Sequence, residues 1–456
     1  MTDLASALAD VVGREHVLAG EEISDDYGHD EALTTVAQRP AFVARPASTA
    51  EVAGLLRVAD VHRVPVTARG NGTGLSGAVV PEPDAIVVSF ERMNDILEID
   101  EQNHVAVVQP GVSLSQLDQT TAAHGLVYPV YPGEYSSSLG GNVATNAGGM
   151  RAVKVGVTRH QVLGLEAVLA SGEVIRTGGR YVKSTTGYDL TQLIIGSEGT
   201  LALVTEATLK LYPRPEHHGT VMAPFRALDE VMTAVPKIVA SGIGPLILEY
   251  IDTVTMAAST RHVDLDLGIP DDVREAALAY LVVMMENTHA DRLDDDVQAL
   301  AEQLAALGAI DVYVLPPQAA TTLIEAREKA FWVAKAAGAD DIVDIVVPRA
   351  AVAELMAKVA DVASTHQSWV AGCGHAGDGN VHLSVFQPDA EQRSKVLRAL
   401  FEAGMSLGGA ISGEHGIGTA KRRYFLELED PVKIELMRRI KHAFDPNDIL
   451  NPGTLF

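Results

Sequence analysis

ARGNGTGLSGAVV, residues 68–80, is the stretch on which the fold turns. Gly72, Gly74 and Gly77 spell G-x-G-x-x-G, the letters of a dinucleotide fingerprint. In a doubly wound nucleotide fold those glycines must open a helix. Here Pro81 and Pro83 follow, and then AIVVSF (85–90), which reads as a strand. That context argues against the doubly wound reading. Two readings remain for the loop: successive backbone N–H groups forming a nest for a diphosphate, or an ordinary turn.

Two further small-residue loops bear on the choice. YPGEYSSSLGGNVATNAGG (131–149) carries three consecutive serines, and GYDLTQLIIGSEGTLALVTEATL (187–209) carries Gly196, Ser197, Glu198 and Gly199 ahead of a strand. Three such loops in one strand-rich half fit several backbone segments converging on one extended polar ligand, of the size of a dinucleotide.

The bulk numbers set limits. At 456 residues two or more domains are expected. Hydrophobic content of 47% with 21% charged residues fits a globular chain. A net charge of −25 leaves no basic surplus to meet phosphate, which argues against a nucleic-acid partner. One cysteine, Cys373, excludes a disulfide framework, a cysteine zinc site and a cysteine-ligated iron–sulfur cluster; it reads as a small buried residue rather than a nucleophile. No basic-then-apolar leader opens the sequence, and no apolar run approaches the roughly 20 residues of a membrane span. A cytoplasmic protein is expected, with peripheral attachment to a membrane left open.

The texture changes near Pro213 and Pro215. Before them, short β-branched runs alternate with glycine. Ser48 and Glu51 form a capping-box pattern ahead of a helix expected to end near His62, and strands are expected at 64–68, 105–110, 164–170 and 201–212. After them, clear helices, such as 291–308 with its acidic outer face, interleave with the strand-like runs LILEYI, LAYLVVMM, DVYVL, DIVDIVV and SWVAGC. The expected class is α+β, with three parts: residues 1–215, residues 216–405 as an antiparallel sheet covered by helices, and a tail, 406–456, that returns to the first part.

A second chemical signal is GHAGDGNVHL (374–383), with His375 and His382 seven residues apart. Gly377, Asp378 and Gly379 make a helix improbable. On one strand an odd offset sends the two rings to opposite faces. Either the histidines are unrelated, or a turn folds the chain so that the rings meet.

The ordered motifs PxSTAEV, TARGNGTGLSG, YPGEYSSSLGGNVATNAGG, TGYDL and GSEGTLALVTEATLKLYP resemble the vanillyl-alcohol-oxidase/PCMH-type FAD-binding domain. GHAGDGNVH and ISGEHGIGTAK resemble the C-terminal half of FAD-dependent D-2-hydroxy acid dehydrogenases, a branch that includes D-lactate dehydrogenases, glycolate oxidase flavin subunits and D-2-hydroxyglutarate dehydrogenases. The resemblance covers nearly the whole chain. It implies a diphosphate cradle of Arg69, Gly70, Asn71, Gly72, Thr73, Gly74, Ser76 and Gly77. It places Pro132, Gly133, Ser138, Gly140, Gly141, Asn142, Asn146, Gly199 and Asn451 around the rest of the cofactor. Some relatives attach flavin through a histidine in the first loop; none lies between Ala68 and Val80, so non-covalent FAD is expected.

The same resemblance implies that His375, His382 and Glu414 hold a divalent metal and that His415 accepts the substrate's proton. Two imidazoles and a carboxylate suit zinc, with manganese or iron as alternatives. Oxidising a 2-hydroxy acid needs this help, because the alcohol proton is barely acidic at neutral pH. Arg327 is expected to grip the substrate carboxylate through its planar fork. Lys335 and Ser384 are expected beside it, and Lys421 is expected to support the site. Relatives acting on 2-hydroxyglutarate carry a lysine where this chain has Ile342, so a small acid such as D-lactate or glycolate is the leading expectation. A larger apolar 2-hydroxy acid stays open, as does a metal-dependent hydrolase without flavin. The electron acceptor (quinone, cytochrome, partner flavoprotein or oxygen) is not legible. A homodimer and a subunit of a larger redox complex are both compatible with the sequence.

Overall fold

In the computed structural model, residues 2–456 are described. Three larger sheets organise them, beside a two-stranded one of Leu126–Val127 and Tyr212–Pro213. A four-stranded sheet runs in the order Val17–Ala19, Phe42–Ala44, Ile86–Ser89, Val66–Arg69, antiparallel at its first pair and parallel thereafter. Helix Thr49–His62 packs on it through Val52, Leu55 and Leu56. Ser48 caps that helix by accepting from the Glu51 N–H, while the Glu51 carboxylate takes the Ala47 N–H at 2.7 Å rather than that of Ser48. The expected helix therefore ends at His62, with a variant of the expected box at its start.

The second sheet is antiparallel, in the order Ile96–Asp100, Val105–Val108, Leu203–Lys210, Val162–Val168, Val174–Gly178. The stretch 70–85 holds no helix, so the first glycine loop leaves the strand Val66–Arg69 and wanders to the strand Ile86–Ser89. That removes the doubly wound alternative.

The third sheet has seven antiparallel strands: Tyr313–Leu315, His217–Phe225, Ala279–Asn287, Ile247–Asp252, Trp369–His375, Asn380–Phe386 and Asp341–Val346. Its two faces differ. One carries Tyr250, Val343, Ile345, Val381 and Leu383 into a core shared with the covering helices. The other carries Glu249, Asp344, Cys373, His375 and His382 toward the first domain. Strand His217–Phe225 is not among the expected strands; its His-His-Gly start is polar, and from Thr220 on it is buried on both faces, so it shows no alternation.

The tail joins both halves. Ala410 and Ser412 form bridges with Val346 and Asp344 at the edge of the seven-stranded sheet. Leu450 forms a parallel bridge with Val66 at the edge of the four-stranded sheet. Among the described residues no helix is long and apolar enough to cross a membrane.

Candidate active site

The hairpin resolves the puzzle of the odd histidine offset. Strands Trp369–His375 and Asn380–Phe386 pair so that Cys373 faces His382 and His375 faces Asn380. Cross-strand partners share a face, as do residues two apart. His375 and His382 therefore lie diagonally on one face. Gly379, at a φ of 90°, supplies the left-handed step that closes the turn.

Glu414 meets them from the tail. Its Oε1 lies 3.2 Å from His375 Nε2 and 3.2 Å from His382 Nε2, and the two ring nitrogens are 3.0 Å apart. The donor set converges, with all three ligand atoms within 4.8 Å of one another. Tetrahedral ligands at about 2.0–2.1 Å from zinc stand roughly 3.3 Å apart, so the spacing fits a metal. The electrostatics fit too. Burial opposes charge on His375, but Glu249 and Glu414 override it and raise the ring to about 10. The pocket thus already stabilises a positive charge where these atoms meet.

Two acids that sequence reasoning left unassigned build this centre. Glu249 is fully buried; its Oε1 accepts from His375 Nδ1 at 2.6 Å. Its Oε2 lies 2.7 Å from Arg327 Nη2, without the alignment of a hydrogen bond, and Arg327 Nε has no partner. Asp344, also fully buried, accepts the backbone N–H groups of Gly413, Glu414 and His415 at 2.9, 2.8 and 2.9 Å. It also accepts from Ser412 Oγ at 3.1 Å and pairs with Lys421. Burial works against its charge, but His415, Lys421 and those N–H groups hold the carboxyl well below the usual range. The only signal in the sequence for Glu249 is an acid at the centre of an otherwise apolar strand.

His415 stacks on His382, with ring centroids 5.1 Å apart. Burial lowers it to about 4, aided by Lys421 and His382 and opposed by Asp344. Its ring is neutral at pH 7, and its Nδ1 is buried without a hydrogen-bond partner.

Two cavities meet here. Glu414 and His415 line both, as do Thr73, Leu75, Pro132 and Glu134. The cavity in the first half is lined by all three glycine loops. All of the expected cofactor residues line it except Gly77, Gly133, Asn146 and Asn451. Gly133 lines the other cavity. Asn146 ends helix Leu139–Thr145 in a left-handed conformation, and the Gly77 N–H is held by Asp30. Asn451 donates to the Ala78 and Glu198 carbonyls and accepts from Thr67, which ties the tail to the loops. Glu198 in turn accepts the N–H groups of Ile417 and Gly418. Ser76 Oγ, Ser137 Oγ and Asn142 Nδ2 are buried on this cavity's lining and have no partner. Such groups are costly to bury unless a ligand satisfies them, so the cavity fits a polar cofactor.

The second cavity holds Arg327, Ser384, His375 and His382. Lys335 does not line it; its Nζ pairs with Glu31 at 2.7 Å and lies over the Trp332 ring. A break at Lys329 divides the segment that carries Arg327 and Lys335 into two helices, Pro317–Glu328 and Ala330–Ala336. Cys373 is buried, and burial pushes its thiol up to about 11, which suits a packing role.

This architecture, a cofactor cavity of glycine loops abutting a histidine and carboxylate centre, is that of an FAD-linked oxidoreductase. The chain belongs to the family of FAD linked oxidases: the model for their C-terminal domain matches residues 214–455, and an FAD binding domain model matches residues 40–178. It is 58% identical over 456 residues to an "uncharacterized FAD-linked oxidoreductase" of Mycobacterium tuberculosis (strain ATCC 25618 / H37Rv), covering 100% of this chain and 99% of that protein. It is 38% identical over 445 residues to a D-lactate dehydrogenase of Archaeoglobus fulgidus, covering 94% of this chain and 95% of that one. The fold matches the structure of 4-ethylphenol oxidase from Gulosibacter chungangensis with a TM-score of 0.77 at 18% identity, over 100% of this chain and 96% of the other. The expected PCMH-type FAD domain followed by an oxidase C-terminal domain is the observed fold.

Proposed function

We propose that this enzyme oxidises a D-2-hydroxy acid to the 2-oxo acid with non-covalent FAD and a divalent metal, zinc foremost. The observation that carries the reading is the convergence of His375, His382 and Glu414 at the junction of the two cavities. FAD, when bound, supplies the hydride acceptor. The metal, when bound, would lower the pKa of an alcohol oxygen, as it does for water.

The chain's own residues do the rest. Arg327, buried beside Glu249 with Nε unpaired, offers a cation to the substrate carboxylate. His415, whose buried Nδ1 lies 3.6 Å from Asp344 Oδ1, would take the hydroxyl proton at its other ring nitrogen. Asp344 fixes the backbone of Glu414 and His415, so ligand and base stay in register. Ser384 lies on the hairpin face two residues beyond His382, within the cavity. A hydrolase without flavin leaves the unpaired polar groups of the first cavity without purpose, and the match to FAD linked oxidases speaks against it.

The test is an anaerobic visible spectrum of the flavin-loaded protein before and after addition of D-2-hydroxy acids. Bleaching of the flavin band is expected with the D and not the L enantiomer. A flavin that no 2-hydroxy acid bleaches would remove the reading.

A further inference from the structure

The substrate-side cavity continues well past the histidines. Cross-strand pairing orders its wall: Cys373 opposite His382, Ala371 opposite Ser384, Trp369 opposite Phe386. Four residues of strand separate His382 from Phe386, a run of about 13 Å. The outer end is aromatic. Trp369 and Phe386 pack tilted at 31° with centroids 4.3 Å apart, and Phe331 and Trp332, on helix Ala330–Ala336, pack edge to face at 5.1 Å within the same lining. Helix Thr253–His262 adds Val254 and Ala258, together with the hydroxyl residues Thr255 and Ser259, and Ile342 lies in the same lining.

Arg327 is the one lysine or arginine among the lining residues, and it sits at the histidine end beside Glu249. The carboxylates of the lining besides Glu414 are Glu31, Glu134 at the junction with the first cavity, and Glu328 next to Arg327 in sequence. Lys335, outside the lining, is paired with Glu31. A second carboxylate on a substrate would find no second lysine or arginine in this lining. A methyl or a hydrogen in the arm would leave the aromatic rings wet.

Resting on the reading above, we infer that the acid oxidised carries a bulky apolar substituent: a branched-chain or aryl 2-hydroxy acid. Its side chain lies along Ala371 toward Trp332, Trp369 and Phe386. This class is larger than D-lactate or glycolate, the leading expectations from sequence. Trp332 and Trp369 are 41% and 50% exposed, so a methylene laid against them gains less than an enclosed one, and the several of a branched or aryl substituent together are worth about tenfold or more in kcat/KM.

The test uses the flavin-loaded, metal-loaded protein and two readouts. Rates of anaerobic flavin reduction are compared for D-lactate, D-2-hydroxy-4-methylpentanoate, D-3-phenyllactate and D-2-hydroxyglutarate. The chain's two tryptophans both line the arm, so their emission reports its occupancy without turnover. Titration with 4-methyl-2-oxopentanoate is compared with titration with pyruvate. The branched and aryl acids are expected to exceed D-lactate at least about tenfold in kcat/KM. The branched oxo acid is expected to shift tryptophan emission at about tenfold lower concentration than pyruvate. Ala371→Phe, or Ala258→Leu if the first variant loses flavin, is expected to lower the branched-to-lactate ratio about tenfold. Equal or better use of D-lactate or D-2-hydroxyglutarate, with no tighter fluorescence response to the branched oxo acid, overturns the inference and leaves the proposed reaction standing. Failure of all four acids to reduce the flavin removes the proposed reaction, and this inference with it.

Discussion

Glu249 Oε1 lies 2.6 Å from His375 Nδ1, and the other oxygen of the same carboxylate lies 2.7 Å from Arg327. One buried acid therefore aims both a ring of the proposed metal centre and the cation proposed to meet the substrate. A carboxylate can only accept, so Nδ1 carries the proton and Nε2 is turned toward His382 and Glu414. Carboxylates placed this way orient a ligating imidazole and raise its basicity. Glu249→Gln keeps the shape but removes the charge. We expect about 10- to 100-fold weaker zinc binding, measured by competition with a chromophoric chelator, with flavin content unchanged. Wild-type zinc affinity in this variant would assign Glu249 to Arg327 alone.

Glu328 supplies a pH dependence. It lines the substrate cavity, and Tyr131 donates to its Oε2 at 2.8 Å. Burial raises its carboxyl to about 7, against the opposing pull of Tyr131, Arg151 and Arg327 and with some help from Glu325. The sign follows from linkage. A carboxyl whose pKa is raised on folding binds more protons folded than unfolded, so stability falls as pH rises from about 4.5 to about 7. Over the same upper range a negative charge forms beside Arg327. KM for an anionic substrate should therefore rise as pH passes through about 7. Steady-state KM from pH 6 to 8 checks this, and Glu328→Gln should flatten the rise.

Asp344 bears on stability more than on chemistry. It collects three successive backbone N–H groups, a serine hydroxyl and Lys421, which is itself buried. Asp344→Asn leaves the Lys421 ammonium without its counter-charge. Removing one partner of a buried pair costs about 3–5 kcal/mol. A thermal melt of the flavin-free protein should show a clear fall in Tm, while Lys421→Met in the same background should recover part of it. An unchanged Tm would mean that Lys421 finds another partner.

Much of this site was legible in the residues, and for a physical reason. Glycine loops and the GEHG stretch stand out because close backbone approach and the donor atoms that a metal would need both restrict residue type. The hairpin joining His375 to His382 was legible because Gly377 and Gly379 break any helix between them. What escaped depends on long-range packing. Glu249 and Asp344 look like single acids in apolar strands, and only the register of the seven-stranded sheet puts them on the face of the histidines. Asn451, expected beside the cofactor, instead bonds to Ala78 and Glu198, a role set by where the tail docks. Lys335 misses the cavity because the helix breaks at Lys329.

Gly70 tests the cofactor cavity by geometry alone. A Cβ at this position would sit 1.9 Å from Ser138 Oγ and 3.0 Å from Ser138 Cβ. Ser138 caps helix Leu139–Thr145 by accepting the Gly141 N–H, so it cannot simply rotate away. Gly70→Ala must therefore push the first glycine loop off the second, and both line the cavity. Overpacking of this kind costs about 1–3 kcal/mol, roughly 5- to 150-fold in FAD affinity if the strain falls on the bound form. Replacing Ser138 by glycine removes the clash, and a cap position tolerates glycine at a cost of only a few tenths of a kcal/mol. The double variant Gly70→Ala, Ser138→Gly should thus bind FAD more tightly than Gly70→Ala alone, measured by flavin fluorescence quenching on reconstitution. Two substitutions that add their losses would show that the loops do not need this contact to hold the cofactor.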